Sequence, residues 1–373
     1  MDILIWNLFV IWCYVICYFR FIRVGFYKAH VPLNLQEAFL AKIGKYNGLT
    51  DINGILVGDY TDYDAVSGIT VVVCPKGAVA GVDVRGSAPG TRETDLMAPH
   101  NLVEQVQAVV LSGGSVFGLA AADGATRWLA EEGYGFPLDH GFVAPIVPAA
   151  VLYDLGRGKE FIPPISSDWG RWACEGAGSY PIEPGCIGAG TGALSGGLKG
   201  GLGTASLVLD SGITVAALMA VNSDGSVIDT VSGRPWEIRL EIDDEFGEQG
   251  KRAVRLPPEP NHEPVRNTTI GVVATDAVLS ATQAQKVAQM AHDGMARAVR
   301  PAHTMFDGDT IFCLATGKKK LPEAPGFFMA AQAQSLNELG HAVANCVSRA
   351  IIRAILCAQS LAGMTAFCDL EDR

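Results

Sequence analysis

From about Gly48 the apolar positions alternate between short β-branched runs and stretches of helical spacing. Ile69 to Cys74, closed by Pro75, predicts a strand, as does Val106 to Leu111. The second run ends in Ser112-Gly113-Gly114-Ser115. Beyond it Val116, Leu119, Ala122, Trp128 and Leu129 fall at helical spacing as far as Gly133. A glycine-rich stretch, Ile187 to Thr204, holds the single lysine Lys199. Ala205 to Val208 and Ile213 to Val221 then predict two strands joined at Asp210-Ser211-Gly212. They lead into the turn Asn222-Ser223-Asp224-Gly225. Thr230 to Asn267, with a polar run from Glu237 to Arg255 and prolines 257, 258, 260 and 264, reads as an exposed linker. Thr268 to Thr275 is again β-branched and predicts a strand. The sharpest boundary in the chain therefore falls at Asn267-Thr268. Ser280 to Gln283 is a capping box opening a helix to about Val299, and Ser335 to Glu338 is a second such box. Between these helices His303 to Thr310 leads into the apolar run Ile311 to Leu314.

Composition narrows the class. Of 373 residues, 49% are hydrophobic and 18% charged, which suits a large buried core. The net charge of -11 argues against a nucleic-acid partner, which needs a basic face. Lys318-Lys319-Lys320 reads as a solvated turn. The nine cysteines are scattered and odd in number, and they form no CxxC pair. Buried thiols in a reducing compartment fit better than a zinc site or a disulfide framework, so neither metal nor cofactor is expected. The Ser112–Ser115 turn lacks the lysine of a phosphate-binding loop and the spacing of a dinucleotide fingerprint. A tight helix-on-sheet turn explains it better.

The N-terminus stands apart. Ile3 to Phe19 is nearly all apolar, and Arg20, Arg23 and Lys28 follow. Such a segment is at the short end of what spans a bilayer, and its positive flank would keep the globular part cytoplasmic. No secretory cleavage site follows it. A membrane tether through residues 3–19 and an extension from a misplaced start site both remain open.

Residue types alone offer no GxSxG elbow, HExxH or assembled triad. What stands out is a threonine opening a strand directly after a linker. Several longer motifs then carry a resemblance. They are Asn47-Gly48-Leu49-Thr50-Asp51-Ile52, Gly90-Thr91-Arg92-Glu93-Thr94-Asp95 and Ser112-Gly113-Gly114-Ser115-Val116-Phe117-Gly118-Leu119. Val147-Pro148-Ala149-Ala150-Val151-Leu152-Tyr153-Asp154, Asn267-Thr268-Thr269-Ile270 and Asp307-Gly308-Asp309-Thr310 continue the series. From about residue 47 onward the chain resembles the self-processing L-aminopeptidase/D-esterase and β-peptidyl aminopeptidase family. Its Asn-Thr junction is similar to that of the 6-aminohexanoate-oligomer (nylon oligomer) hydrolases.

The resemblance implies an α+β fold, a four-layer α-β-β-α sandwich of the N-terminal-nucleophile type. Residues 1–46 would be an extension, and 47–373 a single catalytic domain self-cleaved into 1–267 and 268–373. The new N-terminal Thr268 would be the nucleophile, its own α-amine acting as base with a reference pKa of about 7.7–8.0. The resemblance gives Asn222 the oxyanion contact, typically worth roughly 3 kcal/mol, against a plain role as turn-former. It places Lys199 near the Thr268 amine, whose pKa a second cation would lower. An exposed lysine in a glycine loop is the alternative. Tyr153 would bond near the scissile group or serve as core. Asp307 and Asp309 would orient the amine and balance Lys199, or form a calcium-like or simple turn. Thr269 and Ser115 would be packing or pocket-lining residues, and His303, beside the DGD motif, structural. The implied activity is hydrolysis of a small peptide or amide, with aminopeptidase action as the default and a tetramer of cut heterodimers as the assembly. An acyltransferase of the ornithine-acetyltransferase type and an inactive membrane-anchored scaffold are the competing readings.

Overall fold

Alternating side chains along the strands show how the layers stack. In the computed structural model, which describes residues 42–257, 267–324 and 330–373, the strand Thr214–Val221 (β7) is buried on both faces. Its Val215, Ala217, Met219 and Val221 enter one apolar cluster, whereas Ala216, Leu218 and Ala220 enter another. Ile270–Ala277 (β8) and Thr310–Lys319 (β9) divide in the same way. Ile311 and Cys313 face the first cluster, and Phe312 and Leu314 the second. A strand covered on both sides has no polar face, which explains the unbroken apolar runs in the sequence.

The first cluster is completed by the helices Ala281–Ala298 (α3) and Ala333–Leu356 (α4), through Val287, Ala291, Met295, Val343, Val347 and Ile351. The second lies between two sheet layers, where β7–β9 meet Val72, Val109, Leu111 and Ala150. A third cluster joins the outer face of the other layer to the helices Ala121–Glu131 (α1) and Ser167–Glu175 (α2). Helix, sheet, sheet and helix therefore succeed one another, as expected of an α-β-β-α sandwich.

The remaining strands are Leu56–Asp62 (β1), Ser67–Val84 (β2), Gly90–Arg92 (β3), Gln105–Ser112 (β4), Ala149–Val151 (β5) and Gly201–Val208 (β6). Hydrogen bonding runs continuously in the order β6-β7-β8-β9-β2-β4-β5-β3, with β1 also on β2. The two layers are joined because β2 serves both. Its first half pairs with β1 and β4, and its last residues, Val79 to Val84, pair with β9. The sequence reading stopped this strand at Pro75, but it continues to Val84. The β2–β4 register shifts between Val73 and Ala78. A proline that cannot donate is tolerated at such an irregularity.

Two other expectations need correction. Thr230 to Leu256 is not an exposed linker. Phe246 and Val254 are buried, and Glu245 forms a buried ion pair with Arg349 of α4 at 2.5 and 2.8 Å. Four charged neighbours hid that anchor. Nor does Ser335 cap α4, which begins at Ala333; the Ser335 hydroxyl donates instead to the Pro322 carbonyl at 2.7 Å. The Ser280 capping box does form, in both directions. Cysteines 74, 174, 313 and 346 are buried thiols as expected, but Cys357 is exposed. Among the described residues α4 is long and apolar enough to cross a bilayer, and most of it is core. The apolar segment 3–19 and prolines 258, 260 and 264 lie outside the described residues.

Candidate active site

Strand register alone brings two distant segments to Thr268. Antiparallel β7 and β8 pair Ala220 with Ile270, so continuing the ladder by two residues sets Asn222 opposite Thr268. Parallel β8 and β9 pair Ile270 with Thr310, which sets Gly308 on the other side. The hydrogen bonds agree. Thr268 N–H donates to the Asn222 carbonyl at 2.5 Å, and Gly308 N–H donates to Thr268 Oγ at 3.0 Å. The Thr268 hydroxyl donates to the Asn267 carbonyl at 2.5 Å. Both Asn267 and Thr268 are buried, and the Asn267 Oδ1 has no hydrogen-bond partner.

Asn222 is fully buried and its side chain is engaged at both ends. Its Oδ1 accepts Leu194 N–H at 2.9 Å, and its Nδ2 donates to the Tyr153 carbonyl at 3.1 Å. Tyr153 thus joins the site through its main chain, two residues past β5.

The DGD loop flanks the other side. Asp309 Oδ1 accepts Thr269 N–H at 2.8 Å, and its Oδ2 accepts both the N–H and the Nδ1 of His303, at 3.0 and 2.8 Å. Asp307 Oδ2 accepts the Thr304 N–H and hydroxyl at 2.9 and 2.7 Å, while its Oδ1 has no partner. Burial, and then the neighbouring Asp309 carboxylate, raise the Asp307 pKa.

Lys199 lies one step further out. It is completely buried, and its ammonium donates to the carbonyls of Gly190, Ala193 and Gly200 at 3.0, 3.0 and 2.7 Å. Burial pushes its pKa down to about 8. The link to Thr268 runs in steps, from Lys199 to Ala193, then through Leu194 to Asn222. It is not the exposed loop lysine that spacing alone allowed.

Two site neighbours escaped the sequence reading. Asp154 is buried and accepts Ser67 Oγ–H at 2.7 Å and Gly114 N–H at 2.6 Å; burial pushes its pKa up to about 6. It ends the motif that contains Tyr153, which was the available signal. His303 was set aside as structural, yet it binds a carboxylate that holds the peptide after Thr268. Its position next to the DGD motif was the only hint. Among the described residues no group of His, Cys, Asp and Glu side chains is arranged to hold a metal.

The Thr268 hydroxyl thus lies buried against the carbonyl of its own preceding peptide, at the start of a strand covered on both faces. The family model of peptidase family S58 matches residues 47–367, and this chain belongs to that family. An uncharacterized aminopeptidase of Mycobacterium leprae (strain TN) is 45% identical over 351 residues, covering 87% of this chain and 94% of that protein. A 6-aminohexanoate-oligomer endohydrolase of Kocuria sp. (strain KY2) is 30% identical, over 74% of this chain and 77% of that one. In fold the chain is similar to the L-aminopeptidase D-Ala-esterase/amidase of Ochrobactrum anthropi, described as a variant of the Ntn hydrolase fold. That match has a TM-score of 0.64 at 21% identity, over 87% of this chain and 90% of that one. The chain is thus a hydrolase of amide bonds whose substrates are peptides or amides.

Proposed function

We propose that the chain cuts itself between Asn267 and Thr268 and then works as an aminopeptidase with Thr268 as nucleophile. The contact between the Thr268 hydroxyl and the Asn267 carbonyl carries this reading. Attack of Oγ on the Asn267 carbonyl carbon breaks the C–N bond and forms an ester, an N-to-O acyl shift. The hydroxyl proton passes to the departing nitrogen, which becomes the free α-amine of Thr268. Water then cleaves the ester to give the Asn267 carboxylate and restore the Thr268 hydroxyl. Before the cut that nitrogen is an amide and cannot take a proton. Afterwards it is a base beside its own hydroxyl, which turns a weak nucleophile into a useful one.

The neighbours fit this sequence of steps. Gly308 N–H favours negative charge on Oγ as the proton leaves. The Asn222 carbonyl, already on the Thr268 nitrogen, retains the amine once it is free. One hydrogen of Asn222 Nδ2 is used on Tyr153, and the second is the donor assigned to the oxyanion. Asp307 offers an unpartnered carboxylate oxygen to an ammonium group, and the Lys199 charge biases the amine toward its free base. Residues 47–373 act as the catalytic domain, the chain being cut into fragments 1–267 and 268–373, with 1–46 as an extension that includes the candidate tether 3–19. Exposed Phe136, Leu138 and Phe142 on one small hairpin offer an apolar face for self-association, with a tetramer of cut heterodimers as the proposed assembly.

Aminopeptidase action is tested by giving the cut protein an aminoacyl anilide with a free amine, its N-acetylated twin and a linear aminohexanoate oligomer. Release from the free amine alone supports the reading. Equal release from the acetylated twin or preference for the oligomer interior contradicts it and favours internal cleavage. Acyl transfer to added ornithine in place of release assigns the chain to the acyltransferases.

A further inference from the structure

His303 is held more firmly than packing requires. Its backbone is left-handed, with φ 59°, an uncommon conformation outside glycine that histidine adopts more readily than most residues. That turn delivers two donors, its N–H and its ring Nδ1, to one atom, Asp309 Oδ2. Because Nδ1 faces a carboxylate, it carries the proton. The other Asp309 oxygen holds Thr269 N–H. Asp309 itself is 2% exposed, so its carboxylate plane is fixed between the two. Behind the ring stands His292, fully buried and edge-on at 4.9 Å, with its Nε2 at 3.0 Å from the Asp83 carbonyl. Burial pushes the His292 pKa down to about 4, so this ring is neutral near pH 7. The outer nitrogen of His303, Nε2, is buried without a partner. The polar work of the ring is all done at Nδ1.

We propose that His303 is a positioning residue for self-cleavage and turnover, acting through Asp309. By occupying Oδ2 it keeps Oδ1 on the Thr269 N–H, which fixes the Thr268-Thr269 peptide and hence the aim of the Thr268 hydroxyl. This inference rests on Thr268 being the nucleophile. Without the His303 ring donor, only the backbone N–H restrains Oδ2, which is then less firmly kept from turning toward the ammonium formed at Thr268. An ion pair there favours the protonated amine, the form that cannot act as base.

Side chain and backbone can be separated at this position. His303→Asn tolerates the left-handed turn and places an amide donor near the position of Nδ1. His303→Gly keeps the turn and the backbone N–H but removes the ring donor. Each full-length chain is followed for appearance of the 268–373 fragment, then for kcat and KM on an aminoacyl anilide, with thermal unfolding alongside. Loss of a hydrogen bond to a charged group predicts a fall of about ten- to hundredfold in cleavage rate and kcat for His303→Gly, with KM little changed. His303→Asn recovers most of that loss. Should the glycine variant fail to fold, His303→Asp replaces it: it has the same shape and turn tolerance but sets an acceptor against Asp309. Equal rates in wild type and His303→Gly, or an asparagine variant as slow as the glycine one, overturn the inference. A wild-type chain that never cuts refutes the nucleophile reading instead.

Discussion

Adding one methyl group at Gly308 tests how closely the nucleophile is held. A Cβ there would lie 2.7 Å from the Ala88 carbonyl oxygen, 3.0 Å from Pro89 Cα and 3.0 Å from Thr268 Oγ. These distances fall about half an ångström or more short of comfortable contact. Ala88 cannot simply retreat, because its N–H is bound to the Asp307 carbonyl at 2.9 Å. Gly86 closes off the same loop, since a Cβ there would lie 2.3 Å from both Asp307 O and Asp309 N. The loop must therefore shift and carry the Gly308 N–H away from Thr268 Oγ. Overpacking of this kind costs roughly 1–3 kcal/mol of stability. The lost hydrogen bond adds roughly 0.5–1.5 kcal/mol at the nucleophile. Misplacement adds about tenfold, taking about a hundredfold for a full ångström. Gly308→Ala should thus slow self-cleavage and anilide turnover by about 10–100-fold, with a melting temperature only a few degrees lower. A gel time course of the 268–373 fragment, beside a thermal melt, measures both. Wild-type cleavage with an unchanged melt would refute the claim that this loop sets the position of the hydroxyl.

Three other perturbations have signs fixed by the structure. Lys199 has a folded pKa of about 8, below the ordinary lysine value of 10.5, so the unfolded chain binds more protons between those values and stability rises with pH across that window. The wild type should gain up to about 3 kcal/mol on Lys199→Met between pH 7 and 10.5; a difference that is flat or falls with pH, from denaturant titrations, contradicts this. Glu245→Ala leaves Arg349, 1% exposed, without its bidentate partner and should cost about 3–5 kcal/mol of unfolding free energy. A loss below about 1 kcal/mol would mean that water reaches the pair. Asn222→Ala should lower kcat by about 10²–10³-fold through loss of the oxyanion donor. A change confined to KM would remove that role.

The elements were largely legible because their local chemistry is strong. β-branched runs gave β4, β7 and β8, and the Ser280 box gave the start of α3 to the residue. The proposed nucleophile stands where polar, proline-rich sequence meets a buried strand, a boundary visible in the sequence. What the sequence could not carry was register. Asn222 and Gly308 meet Thr268 because two ladders happen to align, and nothing within 40 residues of either encodes that. The passage of β2 through Pro75 was hidden because local rules do not foresee a tertiary irregularity that spares the missing donor. The Glu245 anchor was hidden because one glutamate among acidic neighbours shows no sign of a partner 104 residues away. His303 was undervalued for the same reason: its importance lies in the carboxylate it touches.

The central claim is that Thr268 cuts the bond before it and then serves as the catalytic hydroxyl. Intact mass of the purified full-length chain, wild type beside Thr268→Ala, tests it most directly. The account predicts two wild-type fragments whose masses place the break between Asn267 and Thr268 and sum to the chain plus one water, with the alanine variant remaining whole. A wild-type chain that stays in one piece for days and releases nothing from amide substrates would contradict it, as would an alanine variant cut at the same bond.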